Sequence, residues 1–296
     1  MEIKGLIPAM ATPMHDDGSL NLDAVKPLVE KLLEGGAYGI FATGSMGEAA
    51  SLSLEERMQV VRAAVKAADG RVPVLAGTGF VTTEETIRMT KQCEDEGVAA
   101  VSVITPCYWK LTQEAIYRHY AAVIHATTLP VFVYNLPNNS GNNVDPETVG
   151  KLYREEGLKG AKDSCAVWSN TKAYMDVTGD DFTMLVGEDT LCLDGLKYGA
   201  KGNISAPSNT FTYVMAAIYN RFVAGDIKGA EEAQEDWNRL LKLFGSIGSF
   251  PGNYKLTTSR LTSDVGMARL PVLPADEEKF NAILPAAKEI AAKYRA

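Results

Sequence analysis

Short apolar runs alternate with longer amphipathic stretches along most of this chain. The runs begin at Gly5, Tyr38, Val72, Ala99, Val131, Leu158, Phe182 and Gly202. Each is too continuous for a strand with one wet face and reads as a parallel strand buried on both. The first extends to about Thr12. The stretches between them place apolar residues at helical spacing. Asn21 stands where it would cap a helix running to Glu34, with Val25, Leu28, Val29 and Leu32 on one face and Pro27 interrupting its early part. Ser53 and Glu56 fit a capping box ahead of a helix reaching about Ala68. Further helices are predicted over Thr83–Glu96, Thr112–Ala126, Pro146–Glu155, Trp168–Val177, Thr190–Tyr198 and Thr212–Ala224.

Eight strand–helix units therefore fill residues 1–224. That is the requirement of an α/β protein closed as a (β/α)8 (TIM) barrel. An open doubly wound sheet is the competitor, but no Gly-x-Gly-x-x-Gly follows the first strand, and Gly77-Thr78-Gly79 is incomplete. Beyond Gly225 the strands stop. Asp226–Phe244, Tyr254–Leu261 and Ala275–Tyr294 read as helices, so residues 225–296 form a C-terminal helical extension.

Charge narrows the partners. The net charge of −8 leaves no basic stripe for a nucleic acid or a membrane surface. No apolar run approaches the roughly 18 residues of a membrane span, and no secretory leader is expected. Cys93, Cys107, Cys165 and Cys192 form no Cys-x-x-Cys pair and read as reduced thiols of a cytoplasmic protein. His15, His119 and His125 share no helix face, so no metal site is expected. A Gly-x-Ser-x-Gly nucleophile elbow is absent as well.

In such a barrel the chemistry gathers where the strands end. Strand two is followed by Gly44-Ser45-Met46-Gly47-Glu48, and strand four by Thr105-Pro106-Cys107-Tyr108-Trp109. Strand five ends at Tyr134-Asn135, strand six at Lys162-Asp163, strand seven at Gly187-Glu188-Asp189 and strand eight at Ile204-Ser205. A lysine and a tyrosine ending adjacent strands suggest imine chemistry. An amine desolvated in an apolar barrel mouth has a depressed pKa and is partly nucleophilic at neutral pH. A neighbouring phenol can move protons.

Gly44-Ser45-Met46-Gly47-Glu48, Tyr134-Asn135-Leu136-Pro137 and Gly160-Ala161-Lys162-Asp163 resemble, in order and spacing, the motifs of the dihydrodipicolinate synthase / N-acetylneuraminate lyase family. The resemblance spans nearly the whole chain. It implies a barrel that is usually a homotetramer, a dimer of dimers, and that uses pyruvate through a Schiff base with neither metal nor cofactor. Lys162 would form the imine and Tyr134 would transfer protons. Ser45 would link Tyr134 to a Tyr108 from a neighbouring subunit. Backbone N–H groups of Ser45 and Met46 would hold the pyruvate carboxylate, with the Ile204 carbonyl close by. Glu48 reads as a structural residue, and Cys107 and Cys165 as bystanders.

Departures from the family pattern bear on the substrate. Where the lysine-pathway synthases carry an arginine for the aspartate-semialdehyde carboxylate, this chain has Asn139. An amide cannot replace that bidentate contact. Ser45-Met46 replaces a usual threonine pair, and Leu54, Arg57 and Val81 stand where feedback-pocket ligands are expected. Tyr108-Trp109-Lys110 looks like the 2-keto-3-deoxy-sugar-acid aldolases, and Glu188, Asp189 and Asn139 are candidates for binding substrate hydroxyls. The leading expectation is reversible aldol cleavage of a 2-keto-3-deoxy sugar acid to pyruvate and an aldehyde. Dihydrodipicolinate synthase chemistry is the alternative, and a non-catalytic keto-acid-binding regulator is a second one.

Overall fold

A computed structural model describes residues 1–295. The eight strands are β1 (Gly5–Pro8), β2 (Ile40–Ala42), β3 (Val74–Gly77), β4 (Ala100–Ile104), β5 (Val131–Asn135), β6 (Gly160–Asp163), β7 (Thr183–Val186) and β8 (Gly202–Ser205). All neighbours pair in parallel, and β1 pairs with β8. The β1–β2 seam is drawn together by Tyr38 N–H donating to the Leu6 carbonyl at 2.8 Å and Met10 N–H to the Phe41 carbonyl at 2.9 Å. The sheet is a (β/α)8 barrel, as its apolar runs predict.

Helices cover the barrel. They are α1 (Val25–Glu34), α2 (Leu54–Ala68), α3 (Thr83–Glu94), α4 (Gln113–His125), the single turn α5 (Pro137–Ser140), α6 (Pro146–Lys151), α7 (Trp168–Asp176), α8 (Cys192–Tyr198) and α9 (Thr212–Val223). The Ser53 capping box forms as expected, with Glu56 N–H on Ser53 Oγ at 3.2 Å and Ser53 N–H on Glu56 Oε2 at 2.9 Å. Asn21 caps nothing through its side chain. A 3-10 turn, Leu22–Ala24, comes first, which places Pro27 in the first turn of α1. There its missing N–H has no carbonyl to meet, so it breaks nothing. β1 is shorter than expected, ending at Pro8. Beyond it Ala9 N–H donates to the Ser205 carbonyl, the last residue of β8.

The strand side chains are almost all buried, Leu75, Val101, Val103 and Val133 completely so. A second apolar cluster joins α8 and α9 to the C-terminal helices α10 (Ile227–Gly245) and α12 (Glu277–Ala292) around Trp237, Leu240, Phe244 and Ile290. Between them runs α11 (Gly252–Leu261), whose Lys255 reaches the barrel. Among the described residues no helix is long and apolar enough to cross a membrane.

Candidate active site

Lys162 and Tyr134 are direct partners in the β5–β6 register. Two inward side chains on adjacent strands therefore meet. The Lys162 amine stands 4.0 Å from the Tyr134 ring centroid and 5.1 Å from that of Phe41. It is only 5 % exposed and makes no hydrogen bond among the described residues. An amine enclosed by two aromatic faces and left without an acceptor is placed to attack rather than to bridge. Tyr134 Oη in turn lies 3.1 Å from Ser45 Oγ, so the hydroxyl pair expected from the sequence does form.

Ser45 and Tyr134 border a cavity of about 520 Å³ that Phe41, Thr43 and Asn139 also line, while Lys162 lies behind the rings of Phe41 and Tyr134 and outside its lining. Gly44–Glu48 forms one wall, and Glu48 ends it in the left-handed region at φ 55°. The N–H groups of Ser45 and Met46 meet no acceptor among the described residues, which leaves them free for a small anion. The Met46 side chain does not face the cavity. It is 1 % exposed and packs in the barrel core. Ile204 likewise buries its side chain in that core.

Tyr108 leaves its own site altogether. At φ 79° its backbone turns outward, the side chain is 84 % exposed, and its ring packs edge-on against Trp109 at 4.9 Å. Within one chain it does not reach Tyr134. Asn139, on α5, lines the cavity. Glu188 is occupied locally, with its Oε1 accepting from Thr190 Oγ1 at 2.8 Å.

Asp189 is held by β8 and α10. Asp189 opens a 3-10 turn over Asp189–Leu191, and Ser205 Oγ at the end of β8 donates to its Oδ2 at 2.9 Å. Gln234 of α10 donates to its carbonyl at 3.0 Å. The side chain is buried, and its Oδ1 meets no donor among the described residues. Burial pushes its carboxyl up to about 7.

Two supports escaped the sequence reading. Asp163, beside Lys162, accepts from Asn135 Nδ2 at 2.9 Å, Cys165 N–H at 3.1 Å, Thr171 Oγ1 at 2.7 Å and Asn170 Nδ2 at 3.1 Å. It ties the ends of β5 and β6 to α7. Gly187 is the other, since a Cβ there would stand 2.9 Å from Lys162 Cε. Its only signal in the sequence is a glycine at a strand end. Burial, with Asp163 alongside, pushes the Cys165 thiol up to about 12, which makes it a poor nucleophile.

A parallel barrel whose sixth strand ends in a shielded lysine, next to a tyrosine on the fifth, defines a class of aldolase. The chain belongs to the dihydrodipicolinate synthetase family, whose model matches residues 2–290. It is thus an enzyme of the pyruvate-dependent class I aldolase type, a carbon–carbon lyase that works through a lysine Schiff base. It is 34 % identical over 276 residues to a 4-hydroxy-tetrahydrodipicolinate synthase of Alcanivorax borkumensis, covering 93 % of each chain. Among solved structures it is similar to the chloride-inhibited dihydrodipicolinate synthase of Acinetobacter baumannii complexed with pyruvate. There the TM-score is 0.90, with 32 % identity over 98 % of this chain and 99 % of that one. A dihydrodipicolinate synthase of Bacillus anthracis matches with a TM-score of 0.91 and 30 % identity over 100 % of both chains.

Proposed function

We propose that Lys162 carries the Schiff base, with pyruvate as the keto acid and Tyr134 as the proton-transfer group. The observation that carries this reading is the buried Lys162 amine against the Tyr134 ring, whose hydroxyl is 3.1 Å from Ser45 Oγ. The amine adds to C2 of pyruvate and water leaves. The resulting iminium draws electrons from the methyl group, which loses a proton and becomes an enamine. The enamine carbon then attacks an aldehyde carbon, and the new alkoxide takes a proton through Tyr134. Hydrolysis of the imine frees the product and restores Lys162. The free N–H groups of Ser45 and Met46 hold the carboxylate throughout.

For the aldehyde, the curated relative's name supports aspartate semialdehyde, and 4-hydroxy-tetrahydrodipicolinate synthase chemistry is the first reading. A specific observation favours a second. Asn139 on the cavity wall offers an amide and no charge, which suits a hydroxylated aldehyde and cleavage of a 2-keto-3-deoxy sugar acid. We also place Tyr108 in a neighbouring subunit's hydroxyl relay, within a homotetramer of the cytoplasm. With its neighbour Trp109, 64 % exposed, it supplies an aromatic face suited to such a contact.

Borohydride trapping with pyruvate, followed by intact mass and peptide mapping, tests the imine. A reduced pyruvyl adduct on Lys162 is expected, and a folded protein with no adduct would overturn the proposal. Comparing kcat/KM for aspartate semialdehyde condensation with that for sugar-acid cleavage then decides the partner. Tyr134→Phe should retain the trapped adduct while kcat falls by roughly 10²–10⁴-fold. A kcat within threefold of wild type would remove Tyr134 from proton transfer.

A further inference from the structure

We infer that Lys255, in the C-terminal extension, is a positioning residue for the carboxylate-binding loop Gly44–Glu48. The inference rests on the reading that the Ser45 and Met46 N–H groups hold the pyruvate carboxylate.

The geometry is a buried clamp. Lys255 is 0 % exposed, and its ammonium spends all three donors, on Glu48 Oε1 at 2.7 Å, the Thr12 carbonyl at 3.0 Å and the Met267 carbonyl at 2.8 Å. The other Glu48 oxygen, Oε2, accepts Arg269 N–H at 2.8 Å. Thr12 Oγ1 donates to the Gly47 carbonyl at 2.7 Å. Arg269 continues the clamp outward, donating to the carbonyls of Ser51 and Gly18, each at 2.8 Å, and pairing with Glu56. Three distant segments thus converge on the residue that ends the loop, two positions after Met46.

Stability alone does not explain this pair. Desolvating an ammonium and a carboxylate costs about as much as their attraction returns, and an apolar pair of similar volume commonly does as well or better. What the ion pair adds is direction. Glu48 sits in the left-handed region, which a non-glycine residue adopts only when its surroundings impose it. Lys255 and the Arg269 amide hold both carboxylate oxygens and so fix that turn. The turn in turn aims the free N–H groups of Ser45 and Met46 at the cavity. Neither Lys255 nor Arg269 needs to touch substrate for this.

Two measurements on the full-length protein test the inference. In the first, the pyruvate concentration for half-maximal borohydride trapping is measured beside kcat, for Lys255→Met and for the charge-neutral double variant Lys255→Met/Glu48→Gln. Both should still trap on Lys162. Half-saturating pyruvate should rise roughly tenfold or more, while kcat at saturation falls much less. A folded variant with half-saturation within twofold of wild type would overturn the positioning role. The second uses wild type alone and does not depend on either variant folding. Amide hydrogen exchange is compared with and without the trapped pyruvyl adduct. Slowing is expected in 44–48 and 265–269 together, and slowing confined to 44–48 would overturn the inference. Absence of an adduct on wild-type Lys162 would instead be a failure of the imine reading, recognisable before any variant is made.

Discussion

Replacing Lys162 with methionine should abolish turnover, a loss of about 10⁴-fold or more, without harming the fold. The two halves of this result have separate causes. Catalysis needs a nitrogen that becomes an electron sink, and Lys162 is the one proposed to supply it. Lys255 is locked by three acceptors and shut inside the protein. Folding does not need the Lys162 amine, which makes no hydrogen bond among the described residues and lies among the rings of Phe41 and Tyr134. An apolar side chain of similar length there avoids burying a polar group without a partner. The melting temperature of Lys162→Met should therefore equal or exceed that of wild type. Steady-state rates, intact mass after borohydride and a thermal melt check the three parts. Residual kcat above a hundredth of wild type would mean that the imine forms elsewhere.

The second large effect concerns pH. The Asp189 carboxyl is held at about 7, chiefly by burial, with Glu188 raising it further and Lys162 and the Ser205 hydrogen bond opposing the rise. In the unfolded chain an aspartate titrates near 3.9. Between those values the folded protein keeps a proton that the unfolded chain has released. Stability therefore falls as pH rises through that window, and levels off above about 7. The total is on the order of 4 kcal/mol. Asp189→Asn cannot ionise and still offers an oxygen to Ser205. The variant should thus lack this decline, and its stability relative to wild type should grow by that amount from pH 4 to pH 8. Urea unfolding of both proteins across the range measures the difference, in which other titrations common to the two cancel. A difference that stays flat would show that Asp189 ionises in the folded state as freely as in the unfolded chain.

Much of the architecture is legible because buried parallel strands are written as unbroken apolar runs. Val131–Asn135 and Val74–Gly77 show it plainly, and their ends locate Tyr134 and the cavity floor. Lys162 is legible for the same reason, since a charged residue closing an apolar strand calls for a purpose. What escapes is the direction taken by a side chain once a strand has ended. Glu188 and Asp189 are neighbours in sequence, yet Glu188 bonds Thr190 within its own turn while Asp189 is buried against Ser205 of β8. Met46 follows Ser45 but turns into the core. The Glu48–Lys255 pair joins residues 207 positions apart, a relation that no local pattern encodes. Tyr108 marks a different boundary, because its ring is exposed and the relay proposed for it needs a second chain.

The Lys255 clamp also bears on how the protein is made. Synthesis runs from the N-terminus, and domains begin to fold as they emerge. All eight strands, Ser45, Tyr134 and Lys162 leave the ribosome ahead of Lys255 and Arg269. Until those arrive, Glu48 has neither of its partners and the loop behind it is not fixed. A nascent barrel with Lys162 already in place is then without the clamp on its Gly44–Glu48 loop. On this account the loop that Glu48 closes is the part of the barrel set last, after the strands that carry Tyr134 and Lys162.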